Sequence, residues 1–352
     1  MRVTICGGGN LAHILAAVVG ADSTAEVRVL TRRPGPWGPV VHAFHRDVVV
    51  EGQAKATSDP AYAITGAELI IIAAPAYAHL EILAAIAPHL KDSQWIGALP
   101  APGGFDHAVR HVTGRSTRVF GSARSPYNGR IEVVGRSARV FGVVPYLELA
   151  SVPRGDRDAI KDLLSKALGL PIQDLPRMLS ATIAPSGTIF HTARLYELAT
   201  NKGSSGVGFY TGWGDVASET YLASDDELAR LAASLGLDWS GMPAADHYGT
   251  TAPEALTRRI RSISGLPPVE APTLNGGTFN FVSGTSRFLL EDLPYGLKVL
   301  AWLGQLVGAP TPTISRIAVD LEQRAPDGTE SKALRLPEYL RCLSLSDWVR
   351  QD

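Results

Sequence analysis

The hydrophobic positions at the start of the chain predict a strand, a turn, a helix and a second strand. A β-branched run at Arg2–Cys6 ends at three consecutive glycines, and residues 11–19 are rich in Ala and Leu. A second apolar run over residues 27–30 completes this unit within about 30 residues. The pattern therefore predicts parallel strands joined by a crossover helix.

Further apolar runs extend this arrangement through the first half of the chain. Residues 69–74 are uniformly apolar, as expected of a strand that is covered on both faces. The other predicted elements of this half are a helix over 76–90, strands near 95–99, 118–120 and 140–144, and a helix over 156–168. This order predicts an α/β fold with a Rossmann-type, doubly wound parallel sheet.

Helical periodicity dominates the second half. The predicted helices lie over 189–198, 225–235, 253–262 and 295–306. Residues 264–283 are rich in Pro, Gly, Thr and Asn, which predicts a long loop. We place the domain boundary near residue 180 and expect a dinucleotide-binding domain over 1–180 and an all-helical substrate domain over 181–352.

Charge and composition exclude several classes of function. The 352 residues include 33 Lys and Arg against 34 Asp and Glu, so the chain has no electrostatic footprint for nucleic acid or an anionic membrane. No apolar run reaches the ~18 residues of a membrane span, and the early glycines interrupt any signal-peptide core, so we expect a cytoplasmic protein. Cys6 and Cys342 are too few for a disulfide scaffold. His42 and His45 have no third ligand nearby, so no metal site is expected.

The glycine-rich turn after the first strand matches the pattern G-x-G-x-x-[G/A]. Gly7 would permit the tight turn, Gly9 would let the backbone approach a pyrophosphate, and the small Ala12 would let the helix pack closely on the strand. The pyrophosphate would lie on the helix N-terminus, which begins at Asn10 and Leu11. The pattern predicts dinucleotide binding, and the alternative is a purely structural turn.

The residues after the second strand bear on which dinucleotide binds. Folds that prefer NAD usually carry Asp or Glu there, to hold the ribose 2′-hydroxyl. This chain has Thr31, Arg32 and Arg33 instead. A hydroxyl and two guanidiniums suit a 2′-phosphate, because arginine pairs with phosphate in a bidentate manner. We therefore favour NADP over NAD; the alternative is a solvated basic turn.

Two side chains of the second half are candidates for acid–base chemistry. His191 lies early in the predicted helical domain, where a helix could face a cofactor cleft. Asp292 precedes Pro294, which suits the first turn of a helix. Taken alone, His191 is better explained as a structural histidine, and Asp292 can be explained as a helix cap. A carboxylate can also orient an imidazole for proton transfer.

Several motifs together make the chain resemble the opine dehydrogenases of the octopine/nopaline dehydrogenase family. The match runs through both halves of the chain. The most specific part is the pattern R-x-x-x-E-D-x-P-x-G-L from Arg287 to Leu297. The other matching segments are Gly7-Gly8-Gly9-Asn10, Ala74-Pro75-Ala76-Tyr77-Ala78-His79, Pro126-Tyr127 with Arg130, Phe209-Tyr210 with the helical stretch 226–236, and Thr311-Pro312.

The resemblance implies a reaction and roles for individual residues. Family members reductively condense an α-keto acid with the amino group of an amino acid, with hydride from NAD(P)H delivered to the imine carbon. By resemblance, His191 is the catalytic histidine, and Asp292 pairs with it and raises the pKa of its imidazole. Arg287 is expected to hold a substrate carboxylate, and Pro75 to lie beside the cofactor. The resemblance also suggests a homodimer.

The segment around Pro-Tyr is expected to contact substrate through Ser122, Arg124 and Tyr127. Relatives often carry acidic or polar residues there, and a basic Arg124 would disfavour a cationic amino acid and suit an anionic or neutral one. Relatives also commonly have Asn and Pro at the positions of Gly187 and Thr192. These departures leave the identities of the amine and the keto acid open.

Two alternatives differ in their chemistry. One is a reductase of the ketopantoate reductase or β-hydroxyacid dehydrogenase type, which relies on a lysine in the second domain; Lys202 would be the candidate. The other is an NADP-binding protein without catalytic activity. A requirement for an amine co-substrate separates the first alternative from an opine dehydrogenase, and turnover of any kind excludes the second.

Overall fold

The computed structural model describes residues 1–184, 186–200, 208–237, 243–281 and 286–349. It divides into two compact units, Met1–Ala181 and Thr182–Arg350. The strands of the first unit are β1 (Arg2–Cys6), β2 (Glu26–Leu30), β3 (Val40–His45), β4 (Val48–Gln53), β5 (Lys55–Thr57), β6 (Leu69–Ile72), β7 (Trp95–Ala98), β8 (Arg118–Ser122), β9 (Tyr127–Val133), β10 (Ser137–Val143), β11 (Leu147–Val152) and β12 (Ile172–Asp174). Its helices are α1 (Asn10–Gly20), α2 (Pro60–Ile64), α3 (His79–Ile86), α4 (Phe105–Thr113) and α5 (Arg157–Leu168), and α6 (Met178–Ile183) reaches into the second unit.

The main sheet of the first unit has the Rossmann strand order. Its eight strands run β12-β11-β8-β7-β6-β1-β2-β5, and all neighbours from β8 to β5 are parallel. The order reverses between β1 and β6, because the chain first builds outward from β1 to β5 and then returns to β6. A ligand of such a sheet binds at the carboxyl ends of the strands beside this reversal. The predicted Rossmann-type fold is confirmed.

A second sheet, absent from the sequence prediction, covers the outer face of α1. Its order is β4-β3-β10-β9, so the strand predicted near 140–144 belongs to this sheet and not to the parallel one. Helix α1 packs against both sheets, and its buried Ile14 shares one hydrophobic core with Val41 and Ala138. A helix buried on two sides must be apolar nearly all round, which explains the run of Ala, Leu and Val in α1.

The second unit is mainly helical, as predicted. Its remaining elements are α7 (Ser186–Thr200), α8 (Asp215–Ser234), α9 (Ala244–Tyr248), α10 (Pro253–Arg261), β13 (Thr273–Asn275), β14 (Thr278–Asn280), α11 (Arg287–Leu290), a π-helical turn (Leu293–Leu297), α12 (Lys298–Val307), α13 (Pro312–Gln323), α14 (Glu338–Arg341) and α15 (Leu345–Val349). Helix α7 packs against α8, α13, α11 and the π-helical turn. No helix in the described part of the chain is long and apolar enough to cross a membrane.

The segment predicted as a long loop contains a small hairpin. Strands β13 and β14 pair antiparallel, and the turn between them consists of Gly276 and Gly277, both with positive φ. Such backbone angles are accessible to glycine without steric cost, so the two glycines that suggested a loop in fact close a hairpin. Residues 282 and 283 at the end of the predicted loop lie outside the described residues.

Candidate active site

The glycine-rich turn has the geometry of an anion-binding turn. Gly7 has φ +140°, and a Cβ atom there would lie 2.4 Å from the carbonyl oxygen of Ala73, so only glycine fits. At Gly9, which caps α1, a Cβ atom would meet nothing within 4 Å. No side chain caps α1, and its first turn holds no acidic residue. The open space and the uncapped N–H groups fit a pyrophosphate on the helix N-terminus.

The other residues predicted to contact the cofactor lie around this turn. The side-chain oxygen of Asn10 accepts a hydrogen bond of 3.0 Å from the backbone of Ile131, so this side chain anchors the turn to β9. Ala12 is fully buried and Leu11 half-buried, as close packing of α1 on the sheet requires. Pro75 follows β6 at the same carboxyl edge as the turn and is half-buried.

Arg32 and Arg33 lie on an exposed loop directly after β2. Thr31, at the start of the loop, is so close to the glycine-rich turn that a Cβ atom on Gly8 would approach its Oγ1 to 2.6 Å. The backbone N–H of Arg33 donates to the same Oγ1 at 3.4 Å. Among the described residues, neither guanidinium forms an ion pair with a carboxylate. Both cations are therefore free to meet an anion beside the turn.

In the second unit, the structure brings His191 and Asp292 together across 101 positions of sequence. Nδ1 of His191, on α7, lies 2.9 Å from Oδ2 of Asp292. The carboxylate accepts this bond, which assigns the proton to Nδ1. Nε2 lies 3.2 Å from the hydroxyl of Tyr210, and the ring stacks on Phe288 with 4.1 Å between centroids. The imidazole is thus held on three sides, with 14% of its side chain exposed.

Opposing influences act on the carboxyl group of Asp292. Burial raises the pKa of Asp292 well above its usual range, while the nearby guanidinium of Arg287 and a hydrogen bond from the hydroxyl of Thr188 favour the charged form. Arg287 also lies over the ring of Phe288, 5.2 Å from its centroid. Gly296 leaves room for the side chain of Thr188 beside Asp292, since a Cβ atom on Gly296 would lie 2.3 Å from Cγ2 of Thr188.

The sequence prediction did not include three residues that contact the pair. Thr188 is one helical turn before His191, so the two share a face of α7. Phe288 lies inside the motif that carries Arg287 and Asp292, and Tyr210 lies in the Phe-Tyr motif. Each of these positions was visible in a motif or in helical spacing, but the contact with His191 required the fold.

A buried ion pair holds the segment that carries Tyr210. Arg194 is fully buried on α7, and its Nε donates to the carbonyl oxygen of Phe209 at 3.0 Å. Its Nη1 pairs with Glu197, one turn further along the helix. Oε2 of Glu197 in turn accepts the backbone N–H of Gly214 at 3.0 Å, at the start of α8. The two charges therefore fix the backbone on both sides of Tyr210.

The three residues predicted beside Pro-Tyr lie in the first unit and are engaged by their own neighbours. The hydroxyl of Ser122 donates to the carbonyl oxygen of Arg124 at 2.8 Å, and that of Tyr127 donates to Leu168 at 2.6 Å. Both side chains are buried, which favours structural roles for them. The guanidinium of Arg124 lies 3.4 Å from the carboxylate of Glu148, with a quarter of its side chain exposed. Substrate contact by these three residues stays a prediction.

Two further sequence expectations concern metals and lysine. Within the ranges that the structure describes, no three His, Cys, Asp or Glu side chains converge as a set of metal ligands. Lys202, the candidate for a reductase of the alternative type, lies outside the described residues.

Comparison with known proteins finds similarity in both units of the chain. Residues 174–320 match the model of the NAD/NADP octopine/nopaline dehydrogenase alpha-helical domain. Octopine dehydrogenase from Mizuhopecten yessoensis is 28% identical over 358 residues, which cover 90% of this chain and 88% of that protein.

Solved structures of octopine dehydrogenase have the same fold. The complex with NADH and L-arginine superposes with a TM-score of 0.79 at 21% identity, and covers 100% of this chain and 98% of the other. The complex with NADH and pyruvate gives the same TM-score at 22% identity and the same coverage. The second unit of this chain is thus similar to the alpha-helical domain of the octopine/nopaline dehydrogenases, and 90% of the chain aligns with an octopine dehydrogenase.

Proposed function

We propose that this chain is an opine-dehydrogenase-like oxidoreductase. It condenses an α-keto acid with the amino group of an amino acid or a related amine, and the resulting imine is reduced to a secondary amine. The observation that carries this proposal is the bond of 2.9 Å between His191 and Asp292 in the matched helical domain. The proposal includes a cytoplasmic location and a homodimer as expectations.

The His191–Asp292 pair performs the proton transfer. The carboxylate of Asp292 accepts a hydrogen bond from the Nδ1–H, which leaves Nε2 as the nitrogen that exchanges a proton with substrate. After the amine has added to the keto group, the imidazolium form of His191, which carries a proton on both nitrogens, donates the Nε2 proton to the hydroxyl of the carbinolamine and becomes neutral. The C–O bond breaks, water leaves, and the nitrogen lone pair forms the C=N bond. The bound nicotinamide cofactor supplies the hydride that reduces this bond.

Arg287 orients the substrate beside this pair. Its guanidinium is planar and offers two parallel N–H donors, which match a carboxylate. The guanidinium lies over the ring of Phe288, which restricts its position, and both α-keto acids and amino acids carry a carboxylate next to the reacting carbon. Binding that carboxylate would set the distance from the reacting carbon to His191.

The glycine-rich turn and the exposed arginines hold the cofactor. The N–H groups at the start of α1 bind the pyrophosphate, and Arg32 and Arg33 bind the 2′-phosphate of NADPH. This second contact makes NADPH the preferred cofactor over NADH.

A requirement for two substrates tests the proposed reaction. We expect NADPH oxidation when an α-keto acid and an amino acid are both present, and almost none with either alone. The measurement is the loss of the NADPH absorbance band across a matrix of keto acids and amines. Full turnover with a keto acid alone would instead support the reductase alternative, and cofactor binding without turnover on any pair would support a non-catalytic protein.

The arginine assignment predicts a change in cofactor preference. Replacing Arg32 and Arg33 together with alanine should weaken NADPH binding by at least about 10–100-fold, because the loss of even one charge-assisted hydrogen bond costs about 1.5–3 kcal/mol. NADH binding should change little, since it lacks the 2′-phosphate. Dissociation constants from cofactor fluorescence measure both effects. Arg258→Ala with Arg259→Ala is the matched control, because these adjacent arginines are exposed on α10. An equal loss of affinity for NADPH and NADH would contradict the assignment of Arg32 and Arg33 to the 2′-phosphate.

A further inference from the structure

A buried histidine lies between the two parts of the proposed cofactor site. His13 is in the first turn of α1 and is fully buried. Its Nδ1 lies 2.9 Å from the carbonyl oxygen of Gly9, in the glycine-rich turn. Its Nε2 lies 2.7 Å from the backbone nitrogen of Gly135, in the turn between β9 and β10. The side chain therefore connects Gly9 and Gly135, two backbone positions that are 126 residues apart in the sequence.

These contacts require one protonation state of the ring. A backbone N–H can only donate, so Nε2 must accept from Gly135, and the single ring proton is on Nδ1, which donates to Gly9. Burial lowers the pKa of His13 and keeps the imidazole neutral, against the opposing effect of the Gly9 carbonyl. The imidazole of His13 is therefore neutral, and each of its two nitrogens forms one hydrogen bond.

The same histidine contacts the loop that carries the exposed arginines. We define the arginine loop as residues 31–38. The ring of Trp37 in this loop lies against that of His13 in a tilted arrangement, with 4.2 Å between centroids and an interplanar angle of 36°. Gly135, whose N–H is held by His13, also packs on the loop, since a Cβ atom there would lie 2.5 Å from the carbonyl oxygen of Pro36. Gly38 completes the contact by donating its N–H to the carbonyl of Gly135 at 3.0 Å.

The arginine loop is consequently fixed at both of its ends. At its start, the hydroxyl of Thr31 lies against Gly8, and the backbone of Thr31 donates to Thr57 at 2.9 Å. At its end, Trp37 and Gly38 are held by His13 and Gly135. Arg32 and Arg33 lie between the two anchors, so the position of their guanidiniums relative to the glycine-rich turn depends on both.

We propose that His13 is a positioning residue of the dinucleotide site, which sets the distance between the turn that binds the pyrophosphate and the loop that binds the 2′-phosphate. The inference rests on the proposed preference for NADPH. Because both cofactors use the glycine-rich turn but only NADPH uses the arginine loop, His13 contributes more to the binding of NADPH than to that of NADH.

Substitutions at His13 test this on the full-length chain. His13→Phe keeps an aromatic ring against Trp37 and removes both hydrogen bonds. We expect NADPH affinity to fall about tenfold and NADH affinity to fall only about twofold, a loss of selectivity that a general loss of stability would not produce. His13→Gln can place an acceptor near Nε2 and should restore part of the NADPH preference, whereas His13→Asn should not. His42→Phe, at a half-buried histidine on β3, is the matched control and should leave both constants unchanged.

The outcomes separate this proposal from the cofactor assignment. The measurements are dissociation constants for NADPH and NADH from cofactor fluorescence, with thermal unfolding of each variant. If His13→Phe does not fold, Trp37→Leu disturbs the same contact from the loop side and should produce the same selective loss. Suppose that the wild-type protein prefers NADPH, but the His13 variants keep that preference or lose affinity for both cofactors equally. That result would overturn the role of His13 and leave the arginine assignment intact. A wild-type protein without preference for NADPH would overturn the arginine assignment and this proposal with it.

Discussion

Replacing His191 with alanine is expected to lower kcat by about 10²–10⁴-fold, the usual contribution of a positioned acid–base group. The imidazole is the group that Asp292 orients, and its Nε2 is the nitrogen that we assign to proton transfer. NADPH binding should be unaffected, because the residues assigned to the cofactor lie in the other unit of the chain. Steady-state kinetics with a productive pair of substrates, together with the dissociation constant for NADPH, measure both quantities.

Two further variants show whether the loss arises from the assigned chemistry. Asp292→Asn keeps the size of the side chain but can present an N–H to Nδ1, so kcat should fall with little change in the KM for NADPH. His89→Ala removes an exposed histidine of the first unit and should leave kcat unchanged. Near-normal kcat in His191→Ala would remove this residue from the mechanism.

The largest effect on stability is expected from Arg194→Met. The substitution leaves the carboxylate of Glu197, whose side chain is 2% exposed, buried without its cation. Breaking a buried ion pair from one side costs about 3–5 kcal/mol of the free energy of unfolding. The backbone at Phe209 also loses its donor, so the position of Tyr210 should become less defined. Urea denaturation followed by tryptophan fluorescence measures the change.

A double variant distinguishes an unpaired charge from lost packing. Arg194→Met with Glu197→Leu removes both charges and should recover much of the stability, because apolar residues of similar volume often replace buried pairs without cost. Lys332→Met, in an exposed pair with Glu330, should leave the denaturation midpoint unchanged. If the double variant were no more stable than Arg194→Met, the unpaired carboxylate would not be the cause.

Local sequence patterns predicted most of the main sheet and the larger helices. Apolar runs such as residues 69–74 coincide with buried strands, because a strand covered on both faces needs no polar positions. The predicted helix over 76–90 is divided into α3 and two short 3₁₀ turns, one of which contains Pro88. Proline lacks the N–H that an α-helix interior requires, so the helix ends before it.

The second sheet shows where such reasoning fails. Strand β4 is exposed at Val48 and Val49, so the apolar–polar alternation that marks a half-buried strand is missing there. Strands β3 and β10 pair although they are far apart in sequence, and their partnership depends on the helix that both cover. No local signal encodes a contact of this kind.

Within the candidate site, motifs identified residue types and the fold supplied their partners. The resemblance indicated His191 and Asp292, and the structure places their side chains in contact. The roles of Tyr210 and His13 could not be predicted, since each depends on a bond to a segment that is remote in sequence or on another element. The hydroxyl of Tyr127 could equally have faced a ligand, and only the packing shows that it is bonded to Leu168.

The π-helical turn after Asp292 has a consequence for how this motif can change. The backbone N–H of Leu297 donates to the carbonyl oxygen of Asp292, five residues earlier, at 2.8 Å, so the turn holds one residue more than an α-helical turn. Deleting a residue there would restore regular winding but would rotate everything upstream by about 100° relative to α12. Arg287 and Asp292 would then swing away from α7. A change in the length of this stretch would therefore separate Asp292 from His191, whereas a point substitution away from Gly296 would leave the winding intact.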